Sequence, residues 1–386
     1  MAFNCLLEMT SLIRLTSFAV AASFTFGAGL SYSSQASDRE VRVYSGRHYN
    51  TDRQVFKKFS KETGIRVRLI EATGISLVER LKREGSSSKA DLILLVDAAR
   101  INNAAKAGLL QPLRSVKLDS EVPKKYRDPE GRWYALTRRV RVMVANSSEI
   151  DIQNVRNYSD LASPLLKGKV CLRKRNSPYN QSLVADQLVL RGEVETKKWL
   201  KGMLANVYQP YFPGDIGLTR AVADGTCGVA IVNHYYVARM LAGVNGSKDK
   251  DLAKKVTVIT PDPAHVNVSA GGIAKYAQNK EEAIQLLEYL ASPNGSRGLA
   301  GPTYEHPLVG TNKAKEVRRF GSFRPDGVTI SQLGEFNAKA ISLMVKYGWD
   351  IPSSPIPNES GWKYIWYLPG ILLLYVVYFF GIKKKV

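Results

Sequence analysis

The chain has little of what most metalloenzymes and nucleotide-using enzymes are built from. Only three cysteines and four histidines occur in 386 residues. No HExxH pair and no phosphate-cradling P-loop are present, and no Ser/His/Asp arrangement can be assembled, which removes the commonest hydrolase and NTPase classes. Acids are also scarce, 34 against 55 lysines and arginines, for a formal charge of +21. Such a balance raises nucleic acid as a partner, but the bases are scattered and no RNP-type stacking motif accompanies them. Long apolar runs are missing from the body of the chain and are confined to its two ends.

What the body does have is tyrosine at informative places. In GVAIVNHYYVARML, Gly228 to Leu241, a short β-branched run reads as a buried strand and the period changes at Asn233. Asn233 is a suitable N-cap, which puts Tyr235 and Tyr236 in the first helical turn and Arg239 on the same face. Taken alone, adjacent tyrosines are core or interface packing. Two more stand at similar junctions. Val41 to Tyr44 leads through His48 and Tyr49 to a cap at Asn50 or Thr51, and the KVCLR strand leads to a cap at Asn176 or Ser177, Pro178 at the favoured first helical position, and Tyr179. Four phenols at three helix entrances suit a hard trivalent cation, because a phenol with a pKa near 10 ionises at neutral pH only against a strong Lewis acid. Iron(III) is the natural candidate. Four phenolates around it leave one negative charge for Arg239 and the arginines of TRRVRV to neutralise.

YSGRHYNTD, ADLILLVDAARINNAAKAGLLQPL, RDPEGRWYALTRRVRVMVAN, NSPYNQSLVA, GVAIVNHYYVARM, GGIAKYAQNKEEAIQLLEYLASP and YEHPL resemble the periplasmic ferric-ion-binding proteins that feed ABC-type importers, and within them the tyrosine-rich branch typical of cyanobacteria. The resemblance runs from about Val41 to Trp349. It implies an α/β, two-lobed periplasmic solute-binding protein of class II type with two crossover strands. It also implies Fe(3+) as cargo, ligands at Tyr49, Tyr179, Tyr235 and Tyr236 with His48 a possible fifth, and Arg139 and Arg239 around them. The carboxylate-using branch places a glutamate near the position held here by Asp97 and lacks the counterpart of Tyr179, so Asp97 stays outside the ligand set. The implied partner is an ABC permease in the inner membrane, and a monomer is expected.

Taken in order, residues 1–36 read as a signal peptide: Arg14 precedes the apolar, small-residue run Leu15 to Leu30, and Ser34-Gln35-Ala36 suits cleavage. A buried N-terminal helix is the competing reading. Residues 37–140 alternate strand and helix and form the first part of lobe 1. Residues 141–268 form lobe 2, with expected helices over Tyr158–Leu166, Leu183–Val189 and Thr196–Ala205. Residues 269–350 return to lobe 1. Trp133–Asn146 and the stretch after Asp262 are the crossovers, and the ligand is expected in the cleft between lobes. Cys171 and Cys227 lie in strand-like runs that could be sheet neighbours, either as a disulfide or as two buried thiols; Cys5 is lost with the leader. His234, His265 and His306 read as structural.

Residues 351–361 form a proline-rich linker, and 362–386 a predicted transmembrane tail. Within that tail Tyr364–Ile382 is apolar enough to span roughly 28 Å as a helix, with Lys383 to Lys385 as a cytoplasmic stop. This departs from the family, whose members end near Gly348 and Trp349. A non-functional extension is the alternative. The basic surface is assigned to anionic lipid or an acidic permease patch, or to plain solvation, and no nucleic-acid partner is expected. Catalysis is not expected. The competing functions are an iron(III) non-haem oxygenase, which needs an open coordination position, and a binding protein of the same fold for another small solute.

Overall fold

Nine strands form among the described residues: β1 Glu40–Ser45, β2 Arg66–Glu71, β3 Leu92–Leu95, β4 Tyr134–Ala145, β5 Val170–Cys171, β6 Val229–Asn233, β7 Thr257–Ile259, β8 Val266–Ile273 and β9 His306–Pro307. The computed structural model describes residues 39–47 and 49–353. The expected leader at 1–36, His48, most of the 351–361 linker and the 362–386 tail lie outside the described residues. Among the described residues no helix is long and apolar enough to cross a membrane.

The strands run in the order β2-β1-β3-β8-β4-β6-β5, with β7 and β9 also paired to β4. β1 pairs in parallel with β2 and β3, and β5 in parallel with β6. Parallel neighbours need crossover connections, and the helices Asp52–Thr63 and Gly74–Glu84 supply them at the first edge. β4 is the shared element. Its first half pairs antiparallel with β8 and its second half with β6, so one buried strand belongs to both sections of the sheet.

Period-two alternation along β4 and β6 decides which core each side chain enters. Val142, Val144, Ala230 and Val232 join the large core that also holds β1 and β3, whereas Met143, Ala145, Val229 and Ile231 face a second core packed by Leu183, Trp199 and Leu200. A disulfide joins Cys171 to Cys227 with Cα atoms 5.8 Å apart, at the edge where β5 lies beside β6.

The helices expected over 183–189 and 196–205 are the two helical pieces of Pro178–Ala205, separated at Gly192, whose φ of 74° is open to glycine and strained for other residues. Two other helix boundaries differ from the expectation. Tyr158–Leu166 is two 3₁₀ turns, Tyr158–Ala162 and Pro164–Leu166, because a residue before proline is pushed out of the helical region and Ser163 is extended at ψ 133°. The stretch Leu333–Tyr347, which reads from sequence as one amphipathic helix, is broken at Phe336 between Ile330–Glu335 and Asn337–Lys346.

Candidate metal centre

Three turns leave the C-terminal ends of β1, β5 and β6, and each carries a tyrosine; carboxyl ends of parallel strands are where open α/β sheets present ligand-binding groups. Tyr49 stands just before the helix Asp52–Thr63, whose first amide donates to the Tyr49 carbonyl at 2.9 Å. Tyr179 follows Pro178 at the entrance of Pro178–Ala205. Tyr235 and Tyr236 occupy the first turn of His234–Leu241, rings 4.3 Å apart.

Capping works differently from the expectation. Thr51, Ser177 and Asn233 occupy the cap positions, yet none makes a side-chain cap bond. Asn233 is extended, and its amide donates to Asp215 Oδ2 at 2.8 Å. Asp215 is pinned in turn by Arg141 and Arg173, each at 3.1 Å. The turn ahead of the tyrosine pair is therefore set by a buried carboxylate from another helix, Asp215–Ala223.

The four phenols lie within electrostatic reach of one another. The Tyr235 hydroxyl donates to that of Tyr179 at 3.4 Å. Burial raises the Tyr49 phenol well above its ordinary pKa, and Glu305, Tyr179 and Tyr236 push it further. Tyr235 is raised by burial and then by Tyr179, Tyr236 and Tyr49, and Tyr236 by burial, Tyr179 and Asp215. Tyr49, Tyr235 and Tyr236 therefore stay protonated near pH 7 unless a strong cation sits among the oxygens.

Guanidinium groups surround them. Arg139, Arg173 and Arg141 lie 5.1, 5.3 and 6.0 Å from the Tyr179 ring centre, and Arg47 and Arg239 lie 5.1 and 6.0 Å from that of Tyr49. Arg47 is buried and bridges Asp52 at 2.7 Å and Glu305 at 3.1 Å. Glu305 also accepts from Thr137 at 3.0 Å.

Asp97 has other work. Its Oδ1 caps the helix Ala98–Lys106 through Ala99 N at 2.8 Å, while Oδ2 accepts from Ser182 and Asn267, each at 2.9 Å. Ser182 lies on the Tyr179 helix, so this bond ties the end of β3 to the opposite section of the sheet. His234 is held by other partners: its ring stacks on His306 at 4.4 Å and meets the Tyr235 ring edge-on at 5.9 Å, its Nδ1 accepts from Val140 N at 3.1 Å, and burial lowers its pKa to about 4. His48 lies outside the described residues.

Sequence reasoning passed over Arg47, Arg173, Asp215 and Glu305. Arg47 and Glu305 lie inside stretches that were already informative, SGRHY and YEHPL, but nothing local says that one reaches the other across 258 positions.

Residues 87–321 match the family model described as bacterial extracellular solute-binding protein. The chain belongs to that family. This solute-binding protein is 38% identical to iron uptake protein A1 of Synechocystis sp. over 316 residues, covering 81% of this chain and 88% of the relative. Among solved structures, a Trichodesmium protein in complex with iron and citrate matches with a TM-score of 0.77 and 38% identity, over 80% of this chain and 99% of that one. Apo FutA2 of Synechocystis matches with a TM-score of 0.76 and 35% identity, over 81% and 99%.

Proposed function

We propose that this solute-binding protein holds ferric iron through the phenolates of Tyr49, Tyr179, Tyr235 and Tyr236 and delivers it, outside the cytoplasm, to an ABC-type permease. The observation that carries the ligand assignment is the convergence of these four phenols, from three separate turns, under five guanidinium groups. Charge supports it as well. The five guanidiniums are set against Asp52, Asp97, Asp215 and Glu305, which leaves one positive charge, the complement of a tetraphenolate iron(III) centre. A polyamine would need acids where these arginines stand.

Relatives with the printed roles of iron uptake and of an iron and citrate complex support the same cargo. As a carrier the protein captures and releases its ligand without transforming it. We assign lobe 1 to residues 37–140 and 269–350 and lobe 2 to 141–268, with β4 and β8 as the hinge strands and Asp97–Ser182 as a latch across the cleft. The sequence also supports tethering to the inner membrane by residues 364–382; membrane fractionation of the full chain against a chain ending at 350 tests that part separately.

Metal analysis with visible spectroscopy of protein isolated under native conditions tests the iron assignment. One equivalent of iron with a phenolate-to-iron charge-transfer band is expected. Colourless, iron-free protein that takes up no ferric ion from a ferric chelate would overturn it.

A further inference from the structure

A second group of metal-capable side chains lies away from the phenols. Asp186 belongs to the helix that begins beside Tyr179, two turns further along the same face, about 10 Å away along the axis. His265 stands immediately before β8, and Asp326 lies in the segment that pairs with Ala264. All three are buried, at 0, 1 and 7% exposure. His265 Nδ1 lies 3.2 Å from Asp186 Oδ1 and 4.0 Å from Asp326 Oδ2, and one donor atom from each residue fits within 4.8 Å of the others.

The donor atoms are buried and face one another: Asp186 Oδ1, His265 Nδ1 and Nε2, and Asp326 Oδ2 make no well-directed hydrogen bond to a group outside the cluster. The opposite carboxylate oxygens are held, Asp186 Oδ2 by Gln187 Nε2 at 2.9 Å and Asp326 Oδ1 by Val328 N at 3.1 Å. Each carboxylate is thus oriented by one oxygen and presents the other, the arrangement that outer partners impose on metal ligands. A cavity of about 220 Å³, lined in part by Tyr158, Asp186, Gln187 and Asp326, opens beside the group and gives room for entry and for a bound water.

We propose that Asp186, His265 and Asp326 form a second metal site, for a divalent cation of the zinc class, which ties the Tyr179 helix to the start of β8. Tetrahedral N/O ligands about 2.0–2.2 Å from zinc stand about 3.3 Å apart, and the observed spacings bracket that value. A dication cancels both carboxylates, and the imidazole selects against calcium and magnesium, which take oxygen ligands. The cavity side leaves one position for water.

The test titrates Zn²⁺ into protein already saturated with ferric iron, so that the phenols are occupied. One further equivalent is expected, its affinity reduced by about tenfold or more in Asp326→Asn and in Asp186→Asn. No further equivalent, or an affinity that both carboxylate substitutions leave unaltered, overturns the proposal. A measurement on the unsubstituted protein covers the case in which those variants fail to fold. Co²⁺ bound to the iron-saturated chain is expected to show coordinated-imidazole nitrogen coupling by pulsed EPR, and bound Co²⁺ without it also overturns the proposal.

Discussion

The hydroxyls of Tyr179 and Tyr235 lie 3.4 Å apart although 56 positions separate them in the chain. That approach needs the end of β5 and the end of β6 to be neighbours, which their parallel pairing and the Cys171–Cys227 bond secure. Removing one hydroxyl, as in Tyr235→Phe, takes away a candidate ligand without changing the ring that packs on Tyr236. Ferric affinity is expected to fall by about 100-fold or more and the charge-transfer band to shift, measured by competition with a chelator and by visible absorption. The double change Tyr235→Phe/Tyr236→Phe is expected to abolish the band.

Arg47 bridges Asp52 and Glu305 in a buried site. Arg47→Ala leaves two carboxylates without their cation, so unfolding free energy is expected to drop by about 3–5 kcal/mol in urea titration. Arg47→Lys is expected to recover only part of this, because one ammonium cannot match the planar fork that serves both acids.

Asp97 separates the tyrosine-only reading from one that uses a carboxylate ligand. Asp97→Asn keeps one acceptor oxygen, enough for Ala99 N or for Ser182 and Asn267 but not for both sides, and removes no phenol, so the iron band is expected to stay at its wavelength. Ser182→Ala removes the latch bond alone, worth about 1 kcal/mol, and is expected to speed iron release several-fold in stopped-flow chelator exchange.

Iron binding should release protons. Burial and mutual repulsion hold Tyr49, Tyr235 and Tyr236 above their ordinary pKa, so these phenols are protonated across pH 5–8 before the metal arrives. Ferric phenolates require their loss, so affinity rises with pH throughout that window and falls on acidification, with about one proton released per phenolate ligand. Calorimetry in buffers of different ionisation enthalpy counts those protons. A pH-independent affinity would contradict phenolate ligation.

The disulfide closes a loop across a sequence separation of 56. In the chain-entropy model Cys171→Ser/Cys227→Ser costs about 4 kcal/mol. Because neither sulfur belongs to the proposed iron site, thermal stability is expected to fall while the iron spectrum of the folded fraction stays the same.

Local pattern carried much of this molecule. Hydropathy period located β1, β4 and β6, because each is largely buried and rich in β-branched residues. Proline and small polar residues marked the helix entrances at Tyr179 and Tyr235. Pattern failed where a distant group decided the outcome. Asn233 reads as a side-chain cap, but Asp215 takes its amide.

Sequence by itself determined the chemistry on offer: many phenols and guanidiniums, few thiols and imidazoles, and tyrosines placed at strand-to-helix turns. Those are matters of composition and short-range periodicity, which one chain segment settles alone. Tertiary structure decided which of these groups meet. Arg47 with Glu305, Asp97 with Ser182, and Asp186 with His265 and Asp326 are brought together by strand order and helix packing, and contact energies between residues so far apart leave no trace in local pattern.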